Sequence, residues 1–147
     1  MGILKHWLIL TTLFVFPASL SFAQIANANG IVVVANISNN DLTLSKQQIR
    51  SLFMGSSVGR DLKVATLPPS SLTRVEFNTK VIGMTESRIQ SYWAQMRFSG
   101  RKTEPLQFDN ENQLIEFLNN TPGAVAYLPA STAIPDNLTV VYSSANN

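Results

Sequence analysis

Ile31-Val32-Val33-Val34-Ala35 is an unbroken apolar run. It is too short for a helix, and β-branched side chains are stiff at χ1 and suit a pleated surface. Successive residues of a strand face opposite sides, so a run that is apolar at every position must be covered on both faces. A strand of this kind belongs inside a sheet that carries helices above and below.

The sequence downstream alternates accordingly. Ile37 to Asp41 is a polar Asn/Ser loop. Ser45-Lys46-Gln47-Gln48 is a capping box: the Ser45 hydroxyl can accept the Gln48 backbone N–H while the Gln48 side chain reaches back. Ile49, Leu52 and Phe53 share one face of the predicted helix, and Gly55 stands where a left-handed residue closes it. Leu62 to Leu67 reads as a second strand, stopped by Pro68-Pro69. A helix opening at Ser70 or Ser71 runs to about Ile82, with Val75, Phe77, Val81 and Ile82 as its apolar stripe and Gly83 as its stop. The next opens at Thr85, with Glu86 in the first turn where a negative charge suits the helix dipole. It carries Ile89, Tyr92, Trp93 and Met96 and ends at Gly100. A last helix opens at Asp109 or Asn110 and buries Leu114, Phe117 and Leu118. Ala124–Leu128 and Leu138–Tyr142 are two further strands. Strands separated by helices predict an α/β domain with a mainly parallel sheet and helices on both faces.

Upstream of the first strand, Lys5 precedes an apolar run from Trp7 to Phe16, Pro17 breaks it, and Ser21-Phe22-Ala23 offers small residues around a cleavage point. This predicts a signal peptide over residues 1–23, cleaved after Ala23, and a periplasmic destination. The rival, a retained anchor, has 17 uncharged residues from Trp7 to Ala23, against the roughly 20 mainly apolar ones a span needs. Removing 23 of 147 residues leaves 124, one domain over residues 24–147, with ten Lys and Arg against nine Asp and Glu. A nucleic-acid binder would show a basic stripe. The one basic cluster, Arg97, Arg101 and Lys102, reads as a solvated loop, so no nucleic-acid partner is expected.

The chain has no cysteine, and its one histidine, His6, falls in the expected signal peptide. The exported chain would therefore lack disulfides, a thiol nucleophile, the commonest general base and nearly every zinc site. The carboxylates follow no EF-hand spacing. Ser99-Gly100-Arg101-Lys102 matches the short S-x-x-K pattern, but the partner motifs of β-lactam-binding enzymes are missing. No enzyme activity and no cofactor are expected.

Three segments carry a family resemblance. Leu44-Ser45-Lys46-Gln47-Gln48-Ile49-Arg50-Ser51-Leu52-Phe53-Met54-Gly55 resembles the "L-S-x-x-Q-I-x-x-I-F-x-G" segment of phosphate-type (type 2) periplasmic substrate-binding proteins. Pro69-Ser70-Ser71-Leu72-Thr73-Arg74-Val75-Glu76-Phe77 is similar to their "D-G-S-G-T-R-x-x-F" stretch, and Thr121-Pro122-Gly123-Ala124-Val125-Ala126-Tyr127 to their "T-P-G-A-I-G-Y" segment. The resemblance covers about residues 31–142 and implies one lobe of a type 2 periplasmic-binding-protein fold, with Ile31–Ala35 as the strand that enters it. By the same resemblance Ser71 and Thr73 match the Ser and Thr that hold an oxyanion at a helix N-terminus, with Ser70 at the first glycine and Arg74 as a further source of charge. The intervening glycine is Leu72 here, and the family's upstream arginine falls at about Leu67. The serines and the threonine are also ordinary helix-opening residues that need no ligand to explain them.

Two functions follow as expectations. One is a phosphate or oxyanion binder, or an accessory of phosphate uptake, beside an ABC-type membrane transporter or another periplasmic or outer-membrane protein. The other is a periplasmic protein–protein interaction module that has kept the fold and lost the ligand.

Overall fold

The structure, a computed structural model, describes residues 29–38 and 42–145. The expected signal peptide, its cleavage point and residues 39–41 of the first loop lie outside the described residues. The elements follow in the order β1 (Ile31–Ala35), α1 (Lys46–Phe53), β2 (Lys63–Thr66) and α2 (Leu72–Phe77), which runs into a π-helical turn (Asn78–Ile82). Then come α3 (Glu86–Ser99), β3 (Leu106–Gln107), α4 (Glu111–Asn120), β4 (Ala124–Pro129) and β5 (Thr139–Ser143).

The strands form one sheet in the order β3-β2-β4-β1-β5. β2 pairs in parallel with both β3 and β4. β1 runs antiparallel to both of its neighbours, Ile31 opposite Pro129 and Ala35 opposite Val125 on one side, Val33 opposite Tyr142 on the other. Four strands therefore share one direction and β1 alone opposes them. Every residue of β1, and Ala124 to Leu128 of β4, is buried. Since alternate side chains point to opposite faces, both faces of the sheet are covered at these two strands. The apolar run was a sound sign of double burial, but burial does not report strand direction.

Local rules of the sequence hold at the helix ends. Ser45 Oγ accepts the Gln48 N–H at 3.3 Å, and Gln48 Oε1 accepts the Ser45 N–H at 2.9 Å, closing the capping box. Gly55 has φ +80°, and a Cβ there would stand 3.0 Å from Trp93 Cη2 and 3.1 Å from Lys102 Cδ. Only glycine lets the end of α1 come so close to α3. At the start of β4, Gly123 has φ +78°, and a Cβ would meet the Asp61 carbonyl oxygen at 3.1 Å. The same close approach lets the Lys63 N–H donate to Gly123 O at 2.8 Å, which joins β2 to β4. Asn36, just past β1, donates its side-chain amide to Leu118 O at 2.7 Å and so satisfies a carbonyl in the last turn of α4.

Three aromatic rings organise the core beside β4. Phe77 stacks on Tyr127 with centroids 4.0 Å apart and 8° between planes, and Phe53 tilts against both at 4.7 and 5.7 Å. A fully buried aromatic ring contributes about 2–3 kcal/mol by removal from water. The Tyr127 hydroxyl accepts the Leu67 N–H at 3.1 Å and shares a 2.8 Å hydrogen bond with Thr66 Oγ1. Burial pushes its phenol above the ordinary value of 10.0, against the opposing pull of those hydrogen bonds.

The helix expected from Ser70 or Ser71 to Ile82 is α2 plus the π-helical turn, and its buried stripe differs from the expected one. Arg74, Phe77, Asn78, Val81 and Ile82 are the buried positions, whereas Val75 is 48% exposed. The spacing is helical, but two polar residues occupy it. Arg74 lies where an apolar residue was sought, one position round the helix from Val75.

Candidate functional site

β2 and β3 run in parallel, so the chain leaves both at the same end of the sheet. From β2 it passes through Leu67 and Pro68-Pro69 to Ser71, and from β3 through Phe108 to Asn110. Helices α2 and α4 start there. Ligands of open α/β sheets bind in crevices outside such carboxyl ends. Here the crevice is an open concavity of about 430 Å³ lined by Leu67, Ser71 and residues Asp109 to Asn112.

Ser70 is exposed at its approach. Ser71 caps α2, its Oγ accepting the Arg74 N–H at 3.3 Å. That bond uses one lone pair and leaves the hydroxyl proton free to point into the concavity. Thr73 turns its hydroxyl across to α4 and donates to Glu111 Oε1 at 2.7 Å. Leu72, between them, is 84% exposed. Ser71 thus faces the concavity, whereas Thr73 is tied to one of its walls.

Arg74 is 5% exposed and directed away from the concavity into the protein. Its Nε donates to Glu86 Oε2 at 2.9 Å and its Nη2 to Glu86 Oε1 at 2.6 Å. Its Nη1 donates to Leu67 O at 2.6 Å. Asn78 and Gln90 add hydrogen bonds to the same carboxylate, at 2.7 and 2.6 Å. Burial works to raise the Glu86 pKa. The hydrogen bonds from Arg74, Gln90 and Asn78, with the arginine's charge, outweigh it and hold the carboxyl below its ordinary 4.5. The guanidinium is already paired in two-pronged fashion with a carboxylate, the geometry it would otherwise offer a phosphate.

The electrostatics of the concavity follow. It presents the Ser71 hydroxyl and the starts of two helices, which favour negative charge. It also contains the carboxylates of Asp109 and Glu111, which oppose it, and no lysine or arginine lines it. Position 67, where the family resemblance would put an arginine, is a buried leucine. The sequence reading singled out Ser70, Ser71, Thr73 and Arg74 but not Asp109, Glu111 or Glu86. The pairs that matter, Thr73 with Glu111 and Arg74 with Glu86, lie 38 and 12 residues apart, and no local pattern announces them. Among the described residues no three or more Asp or Glu side chains gather as a metal ion would require, and no helix is long and apolar enough to cross a membrane.

No family model matches the chain. No curated protein matches it either. Among solved structures it is similar to an ABC-type phosphate transport receptor from Vibrio cholerae, with a TM-score of 0.57 and 18% identity. The match covers 77% of this chain and 45% of that receptor, so the chain spans less than half the receptor's length. At this identity the likeness is one of fold: a mixed α/β lobe like that of a periplasmic binding protein.

Proposed function

We propose that this protein is an exported, solute-binding-like module of an oxyanion uptake system, and that its face at Ser70, Ser71 and Thr73 holds phosphate or a similar oxyanion only when closed against a second protein. The observation that carries this reading is the Arg74–Glu86 pair. The one cation of the nominated set is neutralised inside the lobe, while Ser71 still opens onto the concavity. Hydroxyls without a positive charge make a weak anion site in water. A partner that excludes water and adds a lysine or arginine would complete it, because both effects strengthen the electrostatic attraction. The resemblance to a transport receptor of which the match covers 45% supports the same view. Leu72, 84% exposed at the centre of the face, is the apolar contact such a partner would cover.

A second reading is a protein–protein module that carries no anion. The carboxylates of Asp109 and Glu111 in the concavity favour it.

Two measurements decide. The first is thermal unfolding of the purified protein with phosphate, with sulfate and chloride at matched ionic strength. A ligand of the native state alone would raise stability by about 2.7 kcal/mol at a hundred times its Kd. No phosphate-selective rise is expected at millimolar concentration, and a saturable, selective rise would refute the need for a partner. The second is labelled-phosphate uptake by cells that lack the protein and receive variants of it. Ser71→Ala/Thr73→Ala and Leu72→Asp should both fail to restore uptake. If Leu72→Asp fails while the Ser71→Ala/Thr73→Ala double variant restores it, the module works without holding an anion.

A further inference from the structure

The opposite end of the same strand pair holds a larger concavity, of about 890 Å³, between the C-terminal end of α1, residues 55–64 and residues 100–106. Its volume falls in the range of sites for small organic ligands. Arg60, Lys63, Arg101 and Lys102 line it, together with Asp61 and Glu104. Lys102 is positioned by the protein itself: its Nζ donates to Met54 O at 3.2 Å and to Ser56 Oγ at 3.1 Å. Glu104 is neutralised by Arg97 on the last turn of α3. Among the described residues, Arg60, Lys63 and Arg101 form no ion pair, and Asp61 is the one carboxylate of the lining left to oppose them.

The chain is therefore polarised along its strands, although nearly neutral as a whole. The end at Ser71 gathers Asp109 and Glu111, and the end at Lys63 gathers four cationic side chains. Four cationic side chains set against the single free carboxylate of Asp61 repel one another, and a multiply charged anion would relieve that repulsion. Gly59 and Gly100 line the concavity, and a Cβ at either would meet nothing within 4 Å. A bulky anionic group thus has room there. Phe98, 96% exposed, projects from the same end of α3, two residues before Gly100, and Leu106, 52% exposed, lines the concavity.

We propose that this basic concavity is a second anion site, for a ligand bearing clustered phosphate groups, separate from the face at Ser71. The phosphates would come from a soluble polyphosphate compound or from the headgroups of an anionic lipid surface. In the second case Phe98 would enter the interface beside the cations. The inference does not depend on the proposed role of Ser71 and Thr73.

The test uses the purified protein at low salt with two probes: pyrophosphate in solution, by calorimetry, and phosphatidylglycerol vesicles, by co-sedimentation against phosphatidylcholine vesicles. At least one probe should bind, and raising the salt to physiological strength should weaken it severalfold, because these side chains are exposed and screened. Arg60→Glu/Arg101→Glu should weaken it about tenfold or more, and Lys63→Glu should repeat the effect in an independent variant. Ser71→Ala/Thr73→Ala should leave it unchanged, which separates failure here from failure of the proposed function. Unaltered unfolding temperatures would show that the variants fold. Binding of vesicles alone, reduced by Phe98→Ser, assigns the lipid source, and binding of pyrophosphate alone assigns the soluble one. If neither probe binds, or if binding is indifferent to the charge reversals, the site does not exist.

Discussion

The Arg74 guanidinium and the Glu86 carboxylate meet as two side-by-side hydrogen bonds, Nε to Oε2 at 2.9 Å and Nη2 to Oε1 at 2.6 Å. This fork joins the start of α3 to α2, and through Leu67 O it reaches the end of β2 as well. Arg74→Leu would remove three donors at once and leave a partly buried carboxylate and a carbonyl without them. It should destabilise the fold by about 2–4 kcal/mol, as measured by urea unfolding at neutral pH. A change below half a kilocalorie would mean the fork is not structural.

The same pair sets an acid limit. Glu86 has its pKa lowered in the folded state. Its contribution is therefore present above the ordinary value of 4.5 and is lost as pH falls through the folded value. The stability difference between the wild type and Glu86→Gln should be constant from pH 7 to about 5 and shrink below that. An equal difference at pH 3 and pH 7 would show that the carboxylate's charge contributes nothing.

Gly123 and Gly59 allow a controlled comparison. Both have positive φ, +78° and +81°, but a Cβ would strike Asp61 O at 3.1 Å in the first case and nothing in the second. Gly59→Ala should show backbone strain alone, about 1 kcal/mol, and Gly123→Ala should lose about 1–2 kcal/mol more. Equal losses would refute the claim that close approach of β2 and β4 requires glycine at position 123.

Tyr127→Phe keeps the ring stacked on Phe77 but removes the acceptor of the Leu67 N–H. The cost should be about 1–3 kcal/mol, the penalty of an unsatisfied buried amide. Amide hydrogen exchange at Leu67, just past the end of β2, should speed up by more than at the residues of β2. Uniform acceleration along the strand would point to general loosening instead.

What could be read in the sequence was what is local in it. Ser45 with Gln48, Thr85 with Arg88, and Asn110 with Gln113 are contacts three residues apart, so a short window contains both partners. Gly55, Gly83 and Gly100 all adopt the left-handed conformation expected of helix stops. β3 escaped notice because its two residues are exposed and too few to show a period. The candidate site was legible as a helix start bearing Ser71 and Thr73, whereas its charge balance was not. Glu111 comes to Thr73 only once α4 packs beside α2, and Arg74 is turned inward by an acceptor on a different helix. Charged pairs distant in sequence leave no periodic trace.

The antiparallel placement of β1 also has a kinetic side. Both of its neighbours, β4 and β5, come after all four helices in the chain, and its first amide bonds Ser144 Oγ across 113 residues. A strand whose every partner lies so far downstream raises the contact order, and loop closure must precede any gain from pairing. During synthesis the apolar strand Ile31–Ala35 therefore waits unpaired while α1 through α4 emerge, and its part of the sheet can form only after β4 and β5 have followed. Until those strands arrive, the apolar run has only helices and solvent beside it, so a partner that masks apolar segments would find it accessible for longest.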